Sequence, residues 1–113
     1  MEWNELRDES QLLEILDTSP ENRVLIYKHS TRCSTSRLML DRLERNWNLQ
    51  EMEKIRPYFL DLIAYREISD FLAKSLGIPH ESPQAIMVFA GKAVDDWSHF
   101  EIDYQRIKEI VKN

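Results

Sequence analysis

The chain has one sulfur nucleophile, Cys33, set in His29-Ser30-Thr31-Arg32-Cys33-Ser34-Thr35-Ser36. A β-rich run, Arg23 to Lys28, leads into this stretch. A helical pattern leaves it, with Met39, Leu40, Leu43 and Trp47 on one apolar face. Cys33 is therefore predicted at a strand-to-helix turn. Free backbone N–H groups and the positive end of a helix dipole gather at such a turn, and both favour thiolate over thiol. The thiolate is the attacking species in disulfide exchange. Ser36 stands where a Cys-x-x-Cys pair would hold its second cysteine. A hydroxyl cannot close an internal disulfide, but it can donate a hydrogen bond to the thiolate. The chemistry open to this arrangement is a one-thiol mechanism. Cys33 attacks a mixed disulfide and takes up one half, and a second thiol from solution releases it. A lone cysteine is commonly an inert, buried small residue; the hydroxyl-rich surroundings argue against that here.

The three histidines, His29, His80 and His99, are widely spaced and fall on three predicted turns. They form no metal-ligand spacing with one another or with Cys33, so no metal site is expected. His29 or His99 could serve Cys33 as a base. Such a base is unnecessary where the local field already makes a thiolate. Trp47 and Trp97 read as packing residues.

The elements that must position these groups are legible in order. A helix is predicted over 8–17, capped by Asp8 or Ser10, with Leu12, Leu13 and Leu16 inward and a stop at Ser19-Pro20. Trp3 suggests a short edge strand before it. The near-continuous apolar strand at 23–28 suits a central position covered on both faces. A helix over 34–47 follows, then an ambiguous stretch at 48–56. A second buried strand is predicted at 58–63, and a third helix over 65–76 with Ile68, Phe71, Leu72 and Leu76 inward. Gly77-Ile78-Pro79 is its stop signal. Strands at 85–89 and 93–97 form a hairpin around Ala90-Gly91-Lys92. A last helix, capped by Asp103, presents Tyr104, Ile107, Ile110 and Val111.

This order, (β)αβαβαββα, predicts an α/β fold with a mixed four- to five-stranded sheet flanked by helices on both faces. That is the thioredoxin-like layout, as one domain over 1–113, with Cys33 at the carboxyl edge of the first core strand, where ligands of open α/β sheets bind. The layout gives meaning to Pro79-His80-Glu81-Ser82-Pro83-Gln84. Such proteins place a cis-proline opposite the cysteine, which makes Ser82-Pro83 the candidate. The backbone before that proline is then free to pair with a substrate's backbone as an added strand.

Composition sets the class. Of the 113 residues, 42% are hydrophobic and only two are Gly and four Pro, which marks an ordered globular chain. A chain this size buries roughly two thirds of its unfolded surface and needs no disulfide or metal to fold. No apolar run approaches the roughly 20 residues that span a bilayer, and the acidic amino-terminus does not read as a signal peptide. With one cysteine, these features lead us to expect a cytoplasmic, reducing setting. The net charge of −5 argues against nucleic acid as a partner. The charge is uneven: between Arg23 and Arg45 there are six basic residues against Asp41 and Glu44, giving +4 there and −9 elsewhere. Arg42 and Arg45 suit a solvated helix face. Arg32 and Arg37 flank the cysteine, where a positive field favours the thiolate and attracts an anionic thiol.

With these residues in view, the chain resembles the redox-active proteins of the bacillithiol system, the YtxJ-type monothiol bacilliredoxins. The resemblance rests on Lys28-His29-Ser30-Thr31-Arg32-Cys33, Ser36, Tyr65-Arg66 with Ser69, His80-Glu81-Ser82-Pro83-Gln84, Gly91-Lys92 and Ser98-His99, in order across nearly the whole chain. It implies a thioredoxin-like fold and removal of bacillithiol, or a similar small thiol, from S-thiolated client proteins, with that thiol as co-substrate and no bound cofactor. On it, Cys33 is the catalytic nucleophile, Arg32, Ser36, Ser82 and Pro83 bind substrate, and Thr31, Arg37, Ser98 and His99 form a second rank of candidates. Many members have Pro after the cysteine; Ser34 stands here and adds a backbone donor. Two alternatives are an iron–sulfur carrier like monothiol glutaredoxins, whose Cys-Gly-Phe-Ser motif is absent, and a non-catalytic redox sensor or adaptor.

Overall fold

The structure, a computed structural model, describes residues 1–112. Its elements run β1 (Asn4–Glu5), α1 (Glu9–Ile15), β2 (Arg23–His29), α2 (Ser34–Asn46), β3 (Arg56–Asp61), α3 (Arg66–Leu76), β4 (Gln84–Phe89), β5 (Lys92–Ser98), a 3-10 turn (His99–Glu101) and α4 (Tyr104–Lys112). The sheet order is β1-β3-β2-β4-β5. β2 lies parallel to β3, and β3 parallel to β1; β4 and β5 run antiparallel to their neighbours. The fold is α/β with a mixed five-stranded sheet.

Alternation along β2 divides its side chains between two cores. Leu25 and Tyr27 join Met39 and Leu43 of α2, Met87, Trp97 and Ile107 of α4. Val24 and Ile26 join Leu12 and Ile15 of α1, Leu60, Leu72 of α3, Ile86 and Val88. β2 is thus buried on both faces, as its continuous apolar run predicts.

The helix faces differ in detail from the sequence reading. Asp8 caps α1 in a reciprocal box with Gln11. The buried pair on α1 is Leu12 and Ile15, while Leu13 is 72% exposed and Leu16 half-buried. One turn from Leu12 the chain buries Ile15, and Leu13 lies about 100° around the helix from Leu12. On α3 the inward residues are Ser69 and Leu72, with Ile68 and Leu76 partly buried and Phe71 50% exposed. Residues 49–54 form turns that still bury Met52, with Ile55 buried just after them. β3 starts at Arg56, two residues earlier than the sequence predicts, and includes Pro57. The ladder to β1 begins only at Tyr58, so the missing N–H of Pro57 faces no strand on that side.

Two glycines do conformational work. Gly77 ends α3 with φ 68°, and the Ile78 N–H donates to the Ala73 carbonyl at 3.1 Å. Gly91 follows Ala90 in the β4–β5 hairpin; both have positive φ, as a two-residue primed turn requires. Buried Asn22 ties that hairpin to α1. Its Nδ2 donates to the carbonyls of Ile15 and Asp17 at 2.9 and 2.8 Å, and its backbone carbonyl accepts the Ala90 N–H at 2.8 Å. No described helix is long and apolar enough to cross a membrane.

Candidate active site

β2 ends at His29, and Ser30 to Arg32 turn the chain into α2. Cys33 occupies the N-cap of that 13-residue helix in extended conformation and is half-buried. Its N–H donates to the Ser30 carbonyl at 3.2 Å, and its carbonyl accepts the Arg37 N–H at 3.3 Å, the first helical bond. The sulfur therefore sits at the amino end of the helix rather than inside either core. Thr31, Arg32 and Arg37 are exposed around it. Among the described residues neither Arg32 nor Arg37 takes part in an ion pair.

Ser36 is fully buried, and its hydroxyl does not serve the sulfur as the sequence predicts. It bonds His29 Nδ1 at 2.7 Å and accepts the Ser30 N–H at 3.1 Å. The Ser36 carbonyl accepts the Tyr27 hydroxyl at 2.7 Å. Tyr27, His29 and Ser30, at the end of the strand region, are thereby fastened to the first turn of the helix that carries Cys33. Burial pushes the Tyr27 phenol up to about 12 and moves His29 below the ordinary imidazole range. His29 is committed to Ser36 and packs against Phe59 at 5.4 Å between ring centroids.

Ser82-Pro83 is cis. Lys28 of β2 pairs with Gln84 of β4, so Pro83 lies level with the end of β2, at the same sheet edge as Cys33. The Pro83 carbonyl accepts the His99 N–H at 3.0 Å. His99 has φ 55°, and its Nε2 is 3.6 Å from Glu81 Oε2. Ser98 and His99 are thus joined to the cis-proline loop, and the 3-10 turn they open packs against α2. Ser82 Oγ is closed off from solvent with no hydrogen-bond partner among the described residues.

The family model described as monothiol bacilliredoxin BrxC matches residues 4–107. The chain belongs to the monothiol bacilliredoxin family. Among solved structures, it is similar to a thioredoxin-fold protein described as a candidate oxidoreductase, at 26% identity, TM-score 0.78 and coverage of 96% of this chain and 92% of that one. It also matches the thioredoxin of Malassezia sympodialis (14% identity, TM-score 0.73, 98% and 89% covered) and thioredoxin f2 of Chlamydomonas reinhardtii (14%, 0.70, 98% and 94%). The latter two establish the thioredoxin fold alone. Membership of a monothiol family agrees with Cys33 being the only cysteine.

One group near this edge belongs to the motifs that carry the resemblance but not to the candidate site residues read from the sequence. Lys28 is fully buried, 0% exposed, on the α1–α3 face of β2. Its Nζ is 2.7 Å from His80 Nδ1 and 3.3 Å from Gln84 Oε1. Burial pushes the ammonium down to about 8, and His80 is pushed below its ordinary range by burial first and by Lys28 next. The signal was present in the strand: positions 24, 26 and 28 share a face, and a lysine on a face otherwise filled by Val and Ile marks a buried cation.

Proposed function

We propose that this protein removes a small thiol, bacillithiol or a chemically similar one, from S-thiolated client proteins. The observation that carries the reading is Cys33 half-buried at the α2 N-cap, with a sealed serine one turn on and Pro83 at the same edge. In the first step the Cys33 thiolate attacks the client's mixed disulfide. The client's sulfur–sulfur bond breaks, a bond forms between Cys33 and the small thiol's sulfur, and the client leaves as thiolate and takes a proton from solvent. In the second step a free small thiol attacks that bond. Cys33 is released as thiolate, and the two small thiols leave as their disulfide, so the small thiol is the reductant. Arg32 and Arg37 supply positive charge for an anionic thiol, and the backbone at Ser82 pairs with the client.

The test is intact mass after exposing the protein to bacillithiol disulfide and to other small-thiol disulfides, followed by turnover on a bacillithiolated client. One adduct on Cys33, and loss of dethiolation in Cys33→Ser, are expected. Normal activity in Cys33→Ser overturns the reading. A reactive Cys33 with no turnover would assign a sensor instead.

A further inference from the structure

We propose that Lys28 is a positioning residue: its buried ammonium, acting through His80 and Gln84, fixes the Pro79–Pro83 loop against the sheet so that Ser82 and Pro83 present a fixed backbone to the substrate. The inference rests on the dethiolation reading for its consequence, but its geometry stands apart from it. The two hydrogen-bond partners of the ammonium both belong to the loop or its exit. His80 accepts through Nδ1, which requires the neutral ring with its proton on Nε2. Gln84 accepts through Oε1, and that oxygen also receives the Glu81 N–H at 3.4 Å. The Gln84 amide nitrogen then donates to the Pro79 carbonyl at 3.1 Å and approaches Asp96 Oδ2 of β5 at 3.5 Å. The cation thus holds the loop directly at His80 and, through Gln84, at Pro79 and Glu81, on the stretch that leads into Ser82 and Pro83.

The charged groups that face Lys28 are few. Asp70 of α3 and Glu81 of the loop favour its ammonium, Arg66 of α3 opposes it, and His80 is pushed down by burial first and by this ammonium next. A cationic imidazole and an ammonium cannot share a 2.7 Å contact, so acid that protonates His80 breaks the tie. At the other end, loss of the ammonium proton above about 8 turns charge-assisted bonds into neutral ones. Substrate binding is held between these limits by a group that never touches substrate.

The test uses the full chain. Nitrogen-15 NMR at neutral pH should show His80 Nδ1 as the unprotonated ring nitrogen, with its signal shifting as Lys28 titrates; a proton on Nδ1 overturns the proposal. Lys28→Met keeps the apolar stem and removes the ammonium. It should speed amide exchange at His99, whose N–H is bonded to the Pro83 carbonyl, relative to Ile26 in the core. On a peptide bearing a bacillithiol mixed disulfide, kcat/KM should fall roughly tenfold, mostly through KM, the scale of one charged hydrogen bond. The alkaline limb of the kcat/KM profile near 8 should vanish, while alkylation of Cys33 by iodoacetamide stays within about twofold of wild type. His80→Leu, at an exposed position, should reproduce the loss if Lys28→Met fails to fold, and His80→Gln, which keeps an acceptor, should fall less. Unchanged His99 exchange and an unchanged pH profile in these variants overturn the proposal. Should wild type itself not turn the peptide over, the dethiolation reading fails, and the NMR and exchange results still decide the role of Lys28.

Discussion

Lys28 and Tyr27 are adjacent on β2, face opposite cores, and pull stability in opposite directions as pH rises. Lys28 is depressed from 10.5 to about 8 in the fold. Between those values the unfolded chain binds the proton and the native chain does not, so stability rises with pH across that window, by at most on the order of 3 kcal/mol. Tyr27 is raised from 10.0 to about 12. Its contribution is fully present below 10 and is lost as pH climbs through about 12, because the unfolded phenol ionises first. Urea denaturation from pH 7 to 11 should show a gain above 8 that is absent in Lys28→Met, followed by a decline above 10 that is smaller in Tyr27→Phe, with Tyr58 and Tyr104, both also raised, accounting for the rest. At this scale the place of Cys33 at a strand-to-helix turn is legible in the residues, and the groups that support it are not. Cys33 stands out because it is the only sulfur nucleophile, flanked by hydroxyls at a strand-to-helix boundary. The engagement of Ser36 with His29 depends on which way a ring seven residues earlier points, and spacing does not encode that.

Among the elements, the β4–β5 hairpin and the end of α3 each turn on a left-handed glycine, with different surroundings. A Cβ on Gly77 would meet nothing within 4 Å, whereas one on Gly91 would lie 2.5 Å from the Leu16 carbonyl oxygen. Gly77→Ala should therefore cost only the backbone strain, about 1–2 kcal/mol. Gly91→Ala adds a clash with the end of α1 and should cost roughly 3 kcal/mol or more. Thermal unfolding of the two variants side by side tests the difference; equal losses would contradict the close approach. Strand and helix order was legible because β-rich runs, caps and the Gly-Ile-Pro stop all agree. The inner faces of α1 and α3 were misread at Leu13 and Phe71 because each has an apolar residue next to the true stripe. Ser69, buried on α3, has no apolar signature at all. The short 3-10 turn at His99–Glu101 carries no period to detect.

For the molecule as a whole, the thioredoxin arrangement follows from a strand–helix–strand crossover and a closing hairpin, which leave few allowed topologies. The charge map adds a rate argument. The local +4 between Arg23 and Arg45 is set in a chain of net −5, and its exposed members include Arg32 and Arg37 beside Cys33. An anionic thiol disulfide should react faster with Cys33 at low ionic strength, with the second-order rate falling as salt is raised and falling less steeply in Arg32→Ala with Arg37→Ala. A neutral disulfide should show little salt dependence. Stopped-flow rates with the two probes separate steering from intrinsic reactivity.

The sheet's flanks lead to one more consequence. β1 is only two residues long, and β5 carries Lys92, Asp95 and Asp96, with an irregular register against β4 at Met87 and Val88. Short, charged or kinked margins are poor templates for strand-to-strand assembly between neighbouring molecules. Both margins of this sheet are thereby discouraged from cohering with another copy of the chain through backbone, away from the end of β2 where Cys33 and Pro83 lie.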